Sequence, residues 1–142
     1  MNIKLLRKVQ AAIKQRPKQF QMSNWFSHWL DATRNNNYLH AGGCGTAACI
    51  AGWALHLSGK SRQVDTTARR YDTVDYIDMI AVAGDVLGLS GSEAGGPARN
   101  LFMVEYWPSE FRARWERVST PVAQAKIAIA RIDHFIKTKG EE

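Results

Sequence analysis

A chain of 142 residues fits one domain with one core, burying about two thirds of the surface its unfolded form would expose. Hydrophobic residues at 45% and charged residues at 23% are ordinary for a globular protein and exclude general disorder. No stretch approaches the roughly 20 continuous apolar residues that cross a bilayer, the opening residues lack a signal peptide's apolar run, and two cysteines make no disulfide framework. A cytoplasmic protein with reduced thiols is expected.

The formal net charge of +6 has a location. Residues 1–18 carry Lys4, Arg7, Lys8, Lys14, Arg16 and Lys18 with no acid, whereas the remainder balances thirteen bases against thirteen acids. Ile3, Leu6, Val9 and Ile13 recur at helical spacing, so a basic helix over 2–15 is expected, with one face packed and the other in water. Through Lys4, Arg7, Lys8 and Lys14 it would attract an acidic protein or a nucleic acid.

Pro17 ends that helix. Phe20, Met22, Trp25, Phe26 and Trp29 then form an aromatic cluster, read as a short helix capped by Ser23. After a polar connector, residues 46–58 form a nearly all-apolar helix, with Thr46 as its cap and Gly43 and Gly45 turning the chain ahead of it. Residues 59–71 make a second polar connector, long enough to suggest a functional loop. A third helix, "VDYIDMIAVAGDVLGL", has Asp72 or Thr73 as cap, Asp75 and Asp78 in its first turns, and Gly88 at its end. A glycine-rich turn leads to a short helix at "PARNLF", and "WPSEFRARWERV" starts another at Pro108 and Ser109. The last helix, 121–137, has Thr120 as cap, Pro121 at its first position, and Val122, Ala125, Ile129, Ile132 and Ile136 on one face. The fold class is therefore all-α, a single-domain bundle of about five to seven helices around the central apolar helix 46–58.

The stretch "HAGGCGTAACIAGWALHLSG" carries the candidate chemistry. Backbone N–H groups of Gly43, Cys44, Gly45 and Thr46 ahead of a helix suit a phosphate or carboxylate, and Arg62, Arg69 and Arg70 in the next connector add cationic partners. The loop is not a Walker motif, because no Gly-Lys-Ser/Thr follows. Cys44 in the same place is the candidate nucleophile of an alternative hydrolase or transferase, with His134 as its distant base. Asp133 is a poor partner for His134, since neighbouring helical residues face apart. His40, Cys44, Cys49 and His56 offer zinc ligands at spacings that fit no common zinc pattern, so no metal or cofactor is expected.

The motifs "FQMSNW", "CGTAACIAGWA", "LFMVEYWP" and "ARIDHFI" together resemble a group of small bacterial and phage proteins that share a Cys-Gly-Thr-x-x-Cys-x-Ala-Gly-Trp core. The resemblance spans residues 20 to 136 and implies a bacterial or phage setting, with no activity to carry over. Three functions follow as expectations: a non-enzymatic protein capturing a small anionic ligand, such as a nucleotide signal in phage counter-defence; a cysteine-dependent enzyme using Cys44; and an interaction module built on the basic first helix and the "ARNLFMVEYWP" aromatics.

Overall fold

The computed structural model describes residues 1–20, 22, 26–28, 46–60, 76–90 and 96–141, with 26–28, 46–47 and 76–79 described by their backbone alone. Six α-helices lie among the described residues: α1 (Ile3–Gln15), α2 (Ile50–Leu57), α3 (Tyr76–Leu87), α4 (Pro97–Phe102), α5 (Ser109–Trp115) and α6 (Pro121–Lys137). Two single 3₁₀ turns, Pro17–Gln19 and Val104–Tyr106, join them, and β1 (Phe26–His28) pairs with β2 (Thr46–Ala48). The chain is an all-α bundle apart from this one short ribbon among the described residues.

Helix α1 packs on α2 and α3 with part of its surface and on α6 with another, so it forms a shared wall between two groups of helices. Helix α2 lies against α1, α3 and α4. Its residues Ile50 to Leu55 are all buried, as an unbroken apolar helix requires. Around Trp107, edge-to-face contacts with Trp115 at 5.4 Å and from Trp115 to Phe20 at 6.4 Å close the other side of the core. The Trp107 indole N–H donates to the Leu101 carbonyl at 3.0 Å, which satisfies its one buried polar atom.

The apolar helix begins three residues later than the cap reading of Thr46 requires. Thr46 is in β2 and pairs with His28, Ala47 pairs with Ser27 and Ala48 with Phe26, all antiparallel. Cys49 takes the cap instead, its sulfur accepting from the Gly52 N–H at 3.4 Å. A β-branched threonine next to an available partner strand favours the ladder over a lone helical turn. That partner is the segment expected to be helical: 26–28 is extended, while the proposed Ser23 cap lies outside the described residues.

Helix faces also rotate relative to expectation. In α1 the buried residues are Leu5, Leu6, Val9 and Ile13, and Ile3 is 46% exposed. In α6 they are Ala125, Ile127, Ala128, Arg131, Ile132 and Phe135, with Val122 exposed and Ile129 and Ile136 only partly covered. Helix α6 meets α1 and the first 3₁₀ turn with one flank and α4 and α5 with another, so its buried arc is wider than one stripe. Thr120 caps it as expected, accepting from the Ala123 N–H at 3.3 Å.

Arg131 is fully buried within that arc. Its Nη2 donates to the Asn100 carbonyl at 2.8 Å, and its guanidinium lies 5.3 Å from the Phe135 ring centroid and 5.8 Å from that of Phe111. Two aromatic faces and a helix-end carbonyl replace part of the water the cation has lost.

Candidate anion-binding face

Asn2 caps α1 with its side-chain oxygen, which accepts from the Leu5 N–H at 3.0 Å. With the Leu5, Leu6, Val9 and Ile13 side buried, the step of 100° per residue turns Lys4, Arg7, Lys8 and Lys14 outward, and all four are exposed. Arg7 is engaged: its Nη1 pairs with Asp133 and donates to Gln10 Oε1 at 2.8 Å. Gln10 in turn donates to the Ile129 carbonyl at 3.0 Å, which ties α1 to α6. Lys4, Lys8 and Lys14 have no ion-pair partner among the described residues. No acid lies in the first turn of the helix to offset them.

Lys4 and Lys8, one turn apart, line a groove of about 430 Å³ with Asn2, Leu5, Ser58 and Val86. Its far walls are the C-terminal ends of α2 and α3. Gly59 (φ 74°) and Gly88 (φ 60°) adopt the left-handed conformation that lets the chain turn back over the last carbonyls of these helices. Beyond Gly88, the Asn2 N–H donates to the Leu87 carbonyl, fastening the start of α1 to the end of α3.

Most of the expected ligand cradle lies outside the described residues: Gly43, Cys44, Gly45, Arg62, Arg69 and Arg70. Thr46 is described by its backbone and belongs to β2 rather than to a helix start. Cys49 is a buried thiol pushed up to about 11 by desolvation, which leaves almost none of it ionised at neutral pH. His56 stacks edge-on to Trp53 at 5.9 Å, and burial, followed by repulsion from Arg16, lowers its pKa. His134 rests on the Phe111 ring at 5.3 Å. Asp133 turns to Gln10 and Arg7, whose hydrogen bonds and charge hold its carboxyl below the usual range. It is committed to α1 and does not orient His134. The described residues bring together no group of three or more His, Cys, Asp or Glu that would hold a metal ion.

The "ARNLFMVEYWP" aromatics are core: Phe102 and Trp107 are buried, and Tyr106 is half-covered with its hydroxyl 3.3 Å from Arg99. What the sequence marked as basic is therefore the face that remains presented. The groove beside it was not visible in the chain, because Ser58 and Val86 reach it only through the packing of α2 and α3. A Lys-x-x-x-Lys step immediately after an N-cap asparagine was the one signal available.

Compared with protein-family models, curated proteins and solved structures, the chain matches none. Among the described residues no helix is long and apolar enough to cross a membrane.

Proposed function

We propose that the protein is a non-enzymatic binding module that docks the phosphate backbone of a nucleic acid on the outward face of α1. The observation that carries this reading is that Lys4, Lys8 and Lys14 stand exposed on one helix with no acidic partner among the described residues. A basic stripe along a helix, in a chain of pI about 9.6, is the electrostatic footprint of phosphate binding. Lysines left unpaired keep their charge for counterion exchange, whereas Arg7 has its carboxylate already. Asp133, held by α1, is not available to orient His134, and the candidate nucleophile Cys44 lies outside the described residues.

The test is fluorescence anisotropy with labelled single- and double-stranded oligonucleotides. Substituting Lys4, Lys8 and Lys14 together by Glu is expected to weaken binding by at least about tenfold, because each lost phosphate contact removes a released counterion. A control with equal change in net charge, Arg112→Glu, Arg117→Glu and Lys126→Glu on exposed positions of α5, its C-terminal turn and α6, should cost far less. Equal losses in the two triple variants would show diffuse attraction and remove α1 as the contact.

A further inference from the structure

We propose that the groove between α1 and the ends of α2 and α3 is a phosphomonoester subsite, with Lys4 and Lys8 holding the phosphate and Leu5 and Val86 offering an apolar wall to the attached nucleoside. The proposal rests on the reading of α1 as an anion-binding face and specifies which phosphate it prefers.

The argument begins with the carbonyl groups around the groove. A helix C-terminus is where lysines commonly serve as caps, and two such ends abut this groove. Here the chain supplies the donors itself. At α2, Ala54 O accepts from Ser58 N (3.0 Å), Leu55 O from Lys60 N (3.0 Å) and Ser58 Oγ (2.9 Å), and His56 O from Gly59 N (3.2 Å). At α3, Gly84 O accepts from Leu89 N (2.9 Å), Asp85 O from Gly88 N (3.0 Å), and Val86 O and Leu87 O from the side chain and backbone of Asn2. Seven of the last eight carbonyls of these two helices have such a donor, Leu57 O being the exception among the described residues, so the two ammonium groups are little needed there.

Nor are they paired with acids among the described residues. Two adjacent lysines at one concavity, uncompensated on both counts, keep a charge of about +2 for a ligand. A phosphomonoester carries about −1.5 to −2 at pH 7, against −1 for an internal phosphodiester, so the monoester matches the pair. The volume of about 430 Å³ falls in the range of small-molecule sites and holds a phosphate with part of a nucleoside. Lys14, six residues beyond Lys8, does not line the groove and serves the extended backbone instead.

Two sources supply this chemistry, the 5′-phosphorylated end of a strand and a free mononucleotide. The experiment compares binding of the full chain to one single-stranded oligonucleotide carrying either a 5′-phosphate or a 5′-hydroxyl, with AMP as competitor. The 5′-phosphate should tighten binding about tenfold, as expected for adding a charge-assisted contact with two lysines. Lys4→Gln or Lys8→Gln should abolish the preference, Lys4→Arg or Lys8→Arg should retain it, and Lys14→Gln should weaken both oligonucleotides alike. Competition by AMP would mean the subsite takes free mononucleotides, while a surviving preference without competition would mean it takes strand ends. Equal binding of the two oligonucleotides by the unmodified protein would overturn the subsite and leave the α1 reading standing. Binding of neither would overturn both.

Discussion

Helices α3 and α4 approach closely at Gly84. A Cβ built there would lie 3.1 Å from Ala98 Cβ and 3.2 Å from the Leu89 carbonyl oxygen, both closer than ordinary van der Waals contact. Neither neighbour is the movable end of a long side chain, so relief requires α4 to draw away from α3 and the turn after α3 to shift at Leu89. Gly84→Ala gains about 1 kcal/mol from helix propensity. It costs about 1–3 kcal/mol as overpacking of a close-packed contact. The net expectation is a loss of about 1 kcal/mol, or a Tm lower by ~4 °C for a chain of this length. Urea denaturation followed by far-UV circular dichroism measures it. Ala98→Gly removes the opposing methyl group, so the double variant should be more stable than the sum of the two single effects by roughly 1 kcal/mol. A Gly84→Ala variant more stable than the parent by about 1 kcal/mol, or strict additivity in the double variant, would refute the claim that this contact sets the spacing of the helices.

Arg131→Ala should cost about 2–4 kcal/mol by urea denaturation, since it empties a fully buried site and withdraws the donor to Asn100, and Arg131→Lys should recover little because an ammonium cannot stack between Phe111 and Phe135. Cys49 should resist iodoacetamide in the folded protein at neutral pH and label readily once unfolded, and rapid native labelling read by peptide mass spectrometry would contradict its burial and raised pKa. For Asp133, the folded carboxyl titrates below its unfolded value of about 3.8, so its contribution is present above that pH and vanishes as pH falls through the lower folded value. Asp133→Asn should therefore lose no more than about 1 kcal/mol near pH 6, the pair being roughly half exposed, and progressively less as pH falls below the unfolded value of about 3.8, and a deficit that grows on acidification would refute the pairing.

Helices with strong local punctuation were legible in the chain. Pro121 after Thr120 fixed the start of α6, Pro17 the end of α1 and Gly88 the end of α3, because each acts through its own backbone geometry. The β1–β2 ribbon was not legible, since three residues of Thr-Ala-Ala carry no alternation and their preference was decided by a partner twenty residues upstream. Arg131 reads as a surface residue on any hydropathy scale; only the convergence of α4, α5 and α6 encloses it. The exposed basic face of α1 could be read from charge and spacing alone, because the excess of bases is a local property. The groove needed tertiary packing, as two of its walls come from residues 58 and 86.

The central claim, phosphate docking on α1, is tested most directly by the salt dependence of oligonucleotide affinity. With Lys4, Lys8 and Lys14 each neutralising one phosphate charge of a single strand, the logarithm of the association constant should fall with the logarithm of salt at a slope of about −2, and substituting one of the three by Gln should make the slope shallower by about 0.7. A slope near zero, or one that these substitutions leave unchanged, would contradict the account.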